Sequence, residues 1–176
     1  MNSQPGPTQS TMQQFRTREQ PPTPPRMFQI TSVMTTSFSF SWQAPMTLNG
    51  VLTGYQLSCQ PLLPGIPLPQ PLNTTAVTVM LSSLYPGMGY NCSIVARNGA
   101  GPSDPVYISN TTQETAPTGP PQSFTVTPGR RNMTFSWSPP APTERNGVIT
   151  NYSLSCVPET GGRNTITMQY LSLIHI

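Results

Sequence analysis

Residues 38–60 read FSFSWQAPMTLNGVLTGYQLSCQ, and residues 135–157 read FSWSPPAPTERNGVITNYSLSCV. The two stretches are one pattern written twice. Trp42 pairs with Trp137, Asn49-Gly50 with Asn146-Gly147, Tyr55 with Tyr152 and Cys59 with Cys156, at offsets of 95, 97, 97 and 97. Upstream, Pro24-Pro25 matches Pro120-Pro121 at an offset of 96. A period near 96 is too long for a solenoid repeat and suits a whole small domain. Two full copies need about 190 residues, and from Pro24 onward only 176 − 23 = 153 remain. The second copy is therefore expected to be incomplete.

Within each copy the apolar residues alternate with a period of two, the mark of a half-buried strand. Phe38, Phe40 and Trp42 share one face, against Ser37, Ser39 and Ser41 on the other. Met133, Phe135 and Trp137 repeat this against Asn132, Thr134 and Ser136. Val51 is expected to open a strand whose inner face carries Tyr55, Leu57 and Cys59. Tyr90, Cys92, Ile94 and Ala96 share a face in another, and Val77, Val79 and Leu81 alternate with Thr78 and Met80. Pro, Gly and Asn punctuate the boundaries, and no stretch sustains a 3.6-residue period. Short strands with regular turn signals predict an all-β, antiparallel sandwich.

Composition narrows the function. Only 7% of residues are charged and 23 are Pro, against roughly 25% charged and 5% Pro in an average domain. All eight basic residues are Arg, and a net charge of +3 thinly spread makes no nucleic-acid footprint. One His and one Asp leave almost no acid–base chemistry, so neither an enzyme, a cofactor nor a metal site is expected. No apolar run approaches the roughly 18 residues of a membrane span, and the N-terminus has no signal-peptide core.

Four regions follow. Residues 1–22 are polar, rich in Gln and Pro, and read as disordered or linker. Residues 23–115 form the complete unit. Residues 116–122 (APTGPPQ) make a stiff joint leading into the incomplete second unit, 116–170. The terminal LSLIHI, 171–176, coincides with the translation of CTGTCTCTTATACACATC, which resembles the end of a transposase-based sequencing adapter. It is read as an assembly artefact, with a short native strand as the alternative, and His175 carries no catalytic role.

The complete unit resembles a fibronectin type III domain, an immunoglobulin-like β-sandwich. The resemblance rests on Pro24-Pro25, Trp42, Asn49-Gly50, Gly54-Tyr55 and LYPGMGYNCSIVARNGAG at 84–101. In the last stretch Leu84, Pro86 and Tyr90 look like the family's tyrosine corner, in which a Tyr hydroxyl bonds back to nearby backbone. Ala96, Asn98 and Gly101 follow the family's turn after that strand. The likeness covers about 24–115 in full and 117–170 as the first strands (A to C′) only.

The resemblance also places the cysteines. Cys59 and Cys92 fall on neighbouring antiparallel strands, C and F of the family, at inward parity and near one core level. A cross-strand disulfide is expected, with two buried free thiols as the alternative. Cys156 repeats Cys59, so its partner is expected in the absent strand F of the second copy.

Five Asn-x-Ser/Thr sequons occur, at Asn73, Asn91, Asn110, Asn132 and Asn151. Strand parity turns Asn91, Asn132 and Asn151 outward, and Asn73 and Asn110 fall in loops or strand ends, so all five can accept sugar. Asn91 is the weakest, because Cys92 lies inside its sequon. Arg130-Arg131 read as an exposed turn, and PLLPGIPLPQP at 61–71 as a loop. The expected function is non-catalytic: extracellular binding and spacer modules of a cell-surface receptor or adhesion protein. Paired cysteines on strands C and F resemble the ectodomain modules of receptor-type tyrosine phosphatases. Partners are then protein ligands or neighbouring domains of the same chain, not nucleic acid, with any membrane contact made by another segment of the parent. An intracellular structural array and an accessory module of a secreted enzyme are the alternatives.

Overall fold

The computed structural model describes residues 17–157 and the strand at 166–171. Most of the front segment and the tail after Leu171, with His175, lie outside the described residues. Eight strands build the first unit: β1 Arg26–Val33, β2 Phe38–Gln43, β3 Gly54–Pro61, β4 Leu72–Thr74, β5 Thr78–Leu81, β6 Gly89–Asn98, β7 Gly101–Pro102 and β8 Val106–Thr111. They divide into a sheet ordered β1-β2-β5 and a second ordered β4-β3-β6, in which β6 also pairs with β7 and β8. All pairings are antiparallel. The described residues contain no helix.

The core lies between the sheets and is made by alternation. In β2 Phe38, Phe40 and Trp42 are buried while Ser39 and Ser41 are half-exposed. In β3 Tyr55, Leu57 and Cys59 are buried, and in β6 Tyr90, Cys92, Ile94 and Ala96. Edge-to-face contacts tie the layers together. Phe38 meets Tyr90 at 6.0 Å and Trp42 meets Tyr55 at 5.3 Å between ring centroids, a spacing that adds about 1 kcal/mol per pair to area burial. Ile66 is also buried, which anchors the Pro-rich 61–71 connection while Leu62, Leu63 and Leu68 stay exposed.

Two strands of the first unit begin later than the alternation predicts. Val51 is 74% exposed, because β3 begins only at Gly54 and residue 51 still belongs to the turn after Asn49, whose φ is +51°. Val77 is exposed just before β5, which begins at Thr78, and its carbonyl accepts the Trp42 N–H at 3.0 Å.

Among the described residues, the region after residue 115 carries four strands: β9 Gln122–Pro128, β10 Met133–Ser138, β11 Asn151–Cys156 and β12 Ile166–Leu171. They form two two-stranded sheets, β9-β10 and β11-β12. The aromatic cluster of the first unit recurs there. Phe124 stacks on Phe135 at 6.1 Å and Trp137 meets Tyr152 edge-on at 5.5 Å, as Phe28 stacks on Phe40 at 5.6 Å. Burial recurs only in part: among the described residues it is reached at Pro140, Asn146 and Ile149, not on the aromatic cluster. Phe135 and Trp137 are half-buried, and Met133, matched to the fully buried Phe38, is 64% exposed. Alternation chooses the face, but only an opposing sheet buries it.

Candidate functional site

Three constellations hold the chemistry-bearing residues. The first is the cysteine pair. The β3–β6 register sets Cys59 directly opposite Cys92, and a disulfide joins them at 2.05 Å, with Cα atoms 4.0 Å apart. That short spacing belongs to a pair that does not exchange ladder hydrogen bonds, where side chains stand nearest. Both residues are buried. The bond therefore staples two adjacent strands inside one sheet rather than bridging the two layers. Cys156 is free and half-buried on β11.

The second is the corner between β5 and β6. Tyr90 is fully buried, and its hydroxyl accepts the Tyr85 N–H at 2.9 Å. Leu84 is buried beside it, Pro86 half-buried, and Gly87 turns the chain with a φ of +59°. Burial raises the Tyr90 phenol above its usual pKa, against the hydrogen bond from the Tyr85 amide, which lowers it. Thr112 completes the corner. Its hydroxyl accepts the Met88 N–H at 3.0 Å and donates to the Tyr85 carbonyl at 2.7 Å.

The third lies at the opposite end of the sandwich. Asn98 is buried, and all of its side-chain capacity is used. Its amide donates to the carbonyls of Gln20 at 2.6 Å and Leu48 at 2.9 Å, and its oxygen accepts the N–H groups of Ala100 and Gly101. Ser103 works similarly on β6, accepting the Ala96 N–H at 3.0 Å. The roles of Thr112 and Ser103 and the reach of Asn98 back to residue 20 leave no pattern in the sequence around them. A polar residue within an otherwise apolar strand end was the available signal for Asn98.

The sequon asparagines are dispersed. Asn73 is exposed in the middle of β4, Asn110 near the end of β8, Asn132 in the β9–β10 turn and Asn151 at the start of β11. Asn91 is half-buried, and its side-chain oxygen accepts the Ser109 hydroxyl at 3.2 Å. Thr112, the hydroxyl residue of the Asn110 sequon, is 2% exposed. Arg130 and Arg131 are exposed in the β9–β10 bend. Among the described residues no three His, Cys, Asp or Glu converge on a metal-sized site.

Comparison with known proteins agrees with this architecture. The fibronectin type III domain model matches residues 23–109. The chain is 34% identical over 131 residues to receptor-type tyrosine-protein phosphatase F of Rattus norvegicus, covering 74% of this chain and 7% of that protein. It is 30% identical over 162 residues to cell adhesion molecule Dscam2 of Drosophila melanogaster, covering 85% of this chain and 8% of that protein. The chain thus spans less than a tenth of these relatives. Among solved structures, the FN1–FN3 domains of chicken CNTN1 superpose with a TM-score of 0.64 at 20% identity, covering 87% of this chain and 53% of that one. The chain belongs to the fibronectin type III domain family, with residues 23–109 as its full domain and a partial region after it.

Proposed function

We propose that this chain supplies non-catalytic binding and spacer modules to the extracellular part of a cell-surface receptor or adhesion protein, of the kind represented by receptor-type tyrosine phosphatases. The observation that carries the reading is the buried Cys59–Cys92 disulfide, a bond that persists in oxidising compartments and is rare in the cytosol. The exposure of Asn73, Asn110, Asn132 and Asn151 is compatible with attached sugar. A glycan shell would also give a chain with 7% charged residues its solubility. Because Thr112 is locked in the corner, sugar transfer to Asn110 has to precede closure of β8. No helix among the described residues is long and apolar enough to cross a membrane, so attachment would rest with another part of the parent. The ligands are other proteins or neighbouring domains, met through exposed loops and strand edges.

The test is the protein in its native tissue. Non-reducing peptide mapping is expected to recover Cys59 linked to Cys92, with endoglycosidase-sensitive mass on the sequon peptides. Recovery of both cysteines as free thiols together with bare asparagines would overturn the extracellular assignment.

A further inference from the structure

The segment Thr112–Thr118 (TQETAPT) is bonded to both of the bodies it joins. Toward the first unit, Thr112 holds the Tyr85–Met88 corner, the Gln113 N–H donates to the Met34 carbonyl at 3.1 Å, and the Gly87 N–H donates to the Gln113 carbonyl at 3.1 Å. Toward the second region, the Glu114 carboxylate accepts the Val148 N–H at 3.2 Å. The Thr115 N–H donates to the Asn146 carbonyl at 3.0 Å, and the Asn146 amide returns a bond to the Ala116 carbonyl at 3.0 Å. The Thr118 N–H donates to the Glu144 carbonyl at 2.9 Å. Bonds to the first unit end at Gln113 and bonds to the second begin at Glu114. No residue between them is left as a swivel.

The two bodies also touch directly. Gly87 lies against Gly147, so closely that a Cβ on Gly87 would overlap the Gly147 backbone. Both glycines have positive φ, +59° and +150°. A shallow cleft lined by Leu62, Leu63, Met88, Pro142 and Arg145 runs beside the contact.

An independent observation marks this as a built device. Thr17–Thr23 (TREQPPT) repeats Thr112–Thr118 with Thr, Glu, Pro and Thr at the same places. It also repeats the bonds made to the body that follows: Glu19 accepts the Val51 N–H at 3.3 Å, the Gln20 N–H donates to the Asn49 carbonyl at 3.1 Å, the Asn49 amide donates to the Pro21 carbonyl at 2.8 Å, and the Thr23 N–H donates to the Thr47 carbonyl at 2.9 Å.

The geometry points to a clasp: Thr112–Thr118, acting through Glu114 and Asn146 and seated by the Gly87–Gly147 contact, fixes the second region at one angle to the first. This holds wherever the protein resides and does not depend on its extracellular assignment. The first-unit elements are the tyrosine corner and Met34; the second-region element is the turn at Asn146–Val148.

The experiment places nitroxides at Thr78→Cys and Thr134→Cys, both exposed, in the full chain carrying Cys156→Ser, with the disulfide intact. Pulsed dipolar spectroscopy is expected to give one narrow distance distribution. Glu114→Ala is expected to broaden it and to speed exchange of the Val148 amide about tenfold, from loss of a hydrogen bond to a charged acceptor. Gly87→Asn keeps a residue that tolerates positive φ but adds a side chain against Gly147. It is expected to shift or broaden the distribution while the urea midpoint of the first unit stays near that of the parent. A distribution already broad in the parent chain, or one equally narrow in all three, overturns the clasp.

Discussion

Cutting the Cys59–Cys92 bond tests how the first unit holds together. The bond closes a loop of 33 residues that includes the Pro-rich connection, β4, β5 and the tyrosine corner. In the chain-entropy treatment, opening such a loop returns about 4 kcal/mol of freedom to the unfolded state. Domains of this size are stable by about 5–15 kcal/mol, so the loss is a large fraction of the total. With an m-value of about 1–2 kcal/mol per molar urea, the midpoint should fall by about 2–4 M on reduction. The m-value itself should rise, because an unpinned unfolded chain exposes more surface. The assay is urea unfolding followed by Trp42 fluorescence, with and without a phosphine reductant. Cys59→Ala/Cys92→Ala should fall further than the reduced protein. Both sulfurs sit in the core, and a void the size of a methyl group costs about 1 kcal/mol. Coincident midpoints and m-values for the reduced and oxidised protein would refute the reasoning, since the cross-link would then be doing nothing that the β3–β6 ladder does not already do.

Tyr90→Phe removes the acceptor for the Tyr85 N–H and should cost about 1–3 kcal/mol in the same assay. Burial raises the Tyr90 phenol above the usual 10.0. Above pH 10 the unfolded chain therefore loses this proton while the folded one keeps it. The contribution is complete below pH 10 and falls as pH rises, so the parent should lose stability above pH 10 more steeply than Tyr90→Phe; parallel pH profiles would exclude Tyr90 as the titrating group. The two tryptophans should part company: Trp42→Ala, from a residue 4% exposed, should cost about 3–5 kcal/mol. Trp137→Ala, at the half-buried counterpart, should cost about 1–2 kcal/mol, read by amide exchange over β9–β11. Equal losses would mean that the second region is as well packed as the first.

Period-two alternation made the sandwich legible, since Phe38-x-Phe40-x-Trp42 can bury one face only as a strand. The same alternation overshot at Val51 and Val77, where parity was right but the strand had not yet begun. Whether an inward-parity residue at a strand end is buried depends on what the rest of the fold lays over it, and one chain's pattern does not record that. The cysteine pair came from the family's strand order, because nothing local to Cys59 indicates that Cys92 stands opposite. Thr112, Ser103 and Glu114 escaped notice because a Thr, a Ser and a Glu in polar loops look like solvated residues until the backbone they serve is in place.

The clasp has a consequence beyond a single joint. Two seven-residue segments, 95 positions apart, share their key residues and their bonds to the body that follows, so both bodies receive the incoming chain in the same way. Bodies joined in series by such a joint would trace a screw rather than a string of beads. Its pitch would then be written into Thr-x-Glu-x-x-Pro-Thr, and a single glycine change at a corner would bend the whole filament at one place while leaving every domain folded.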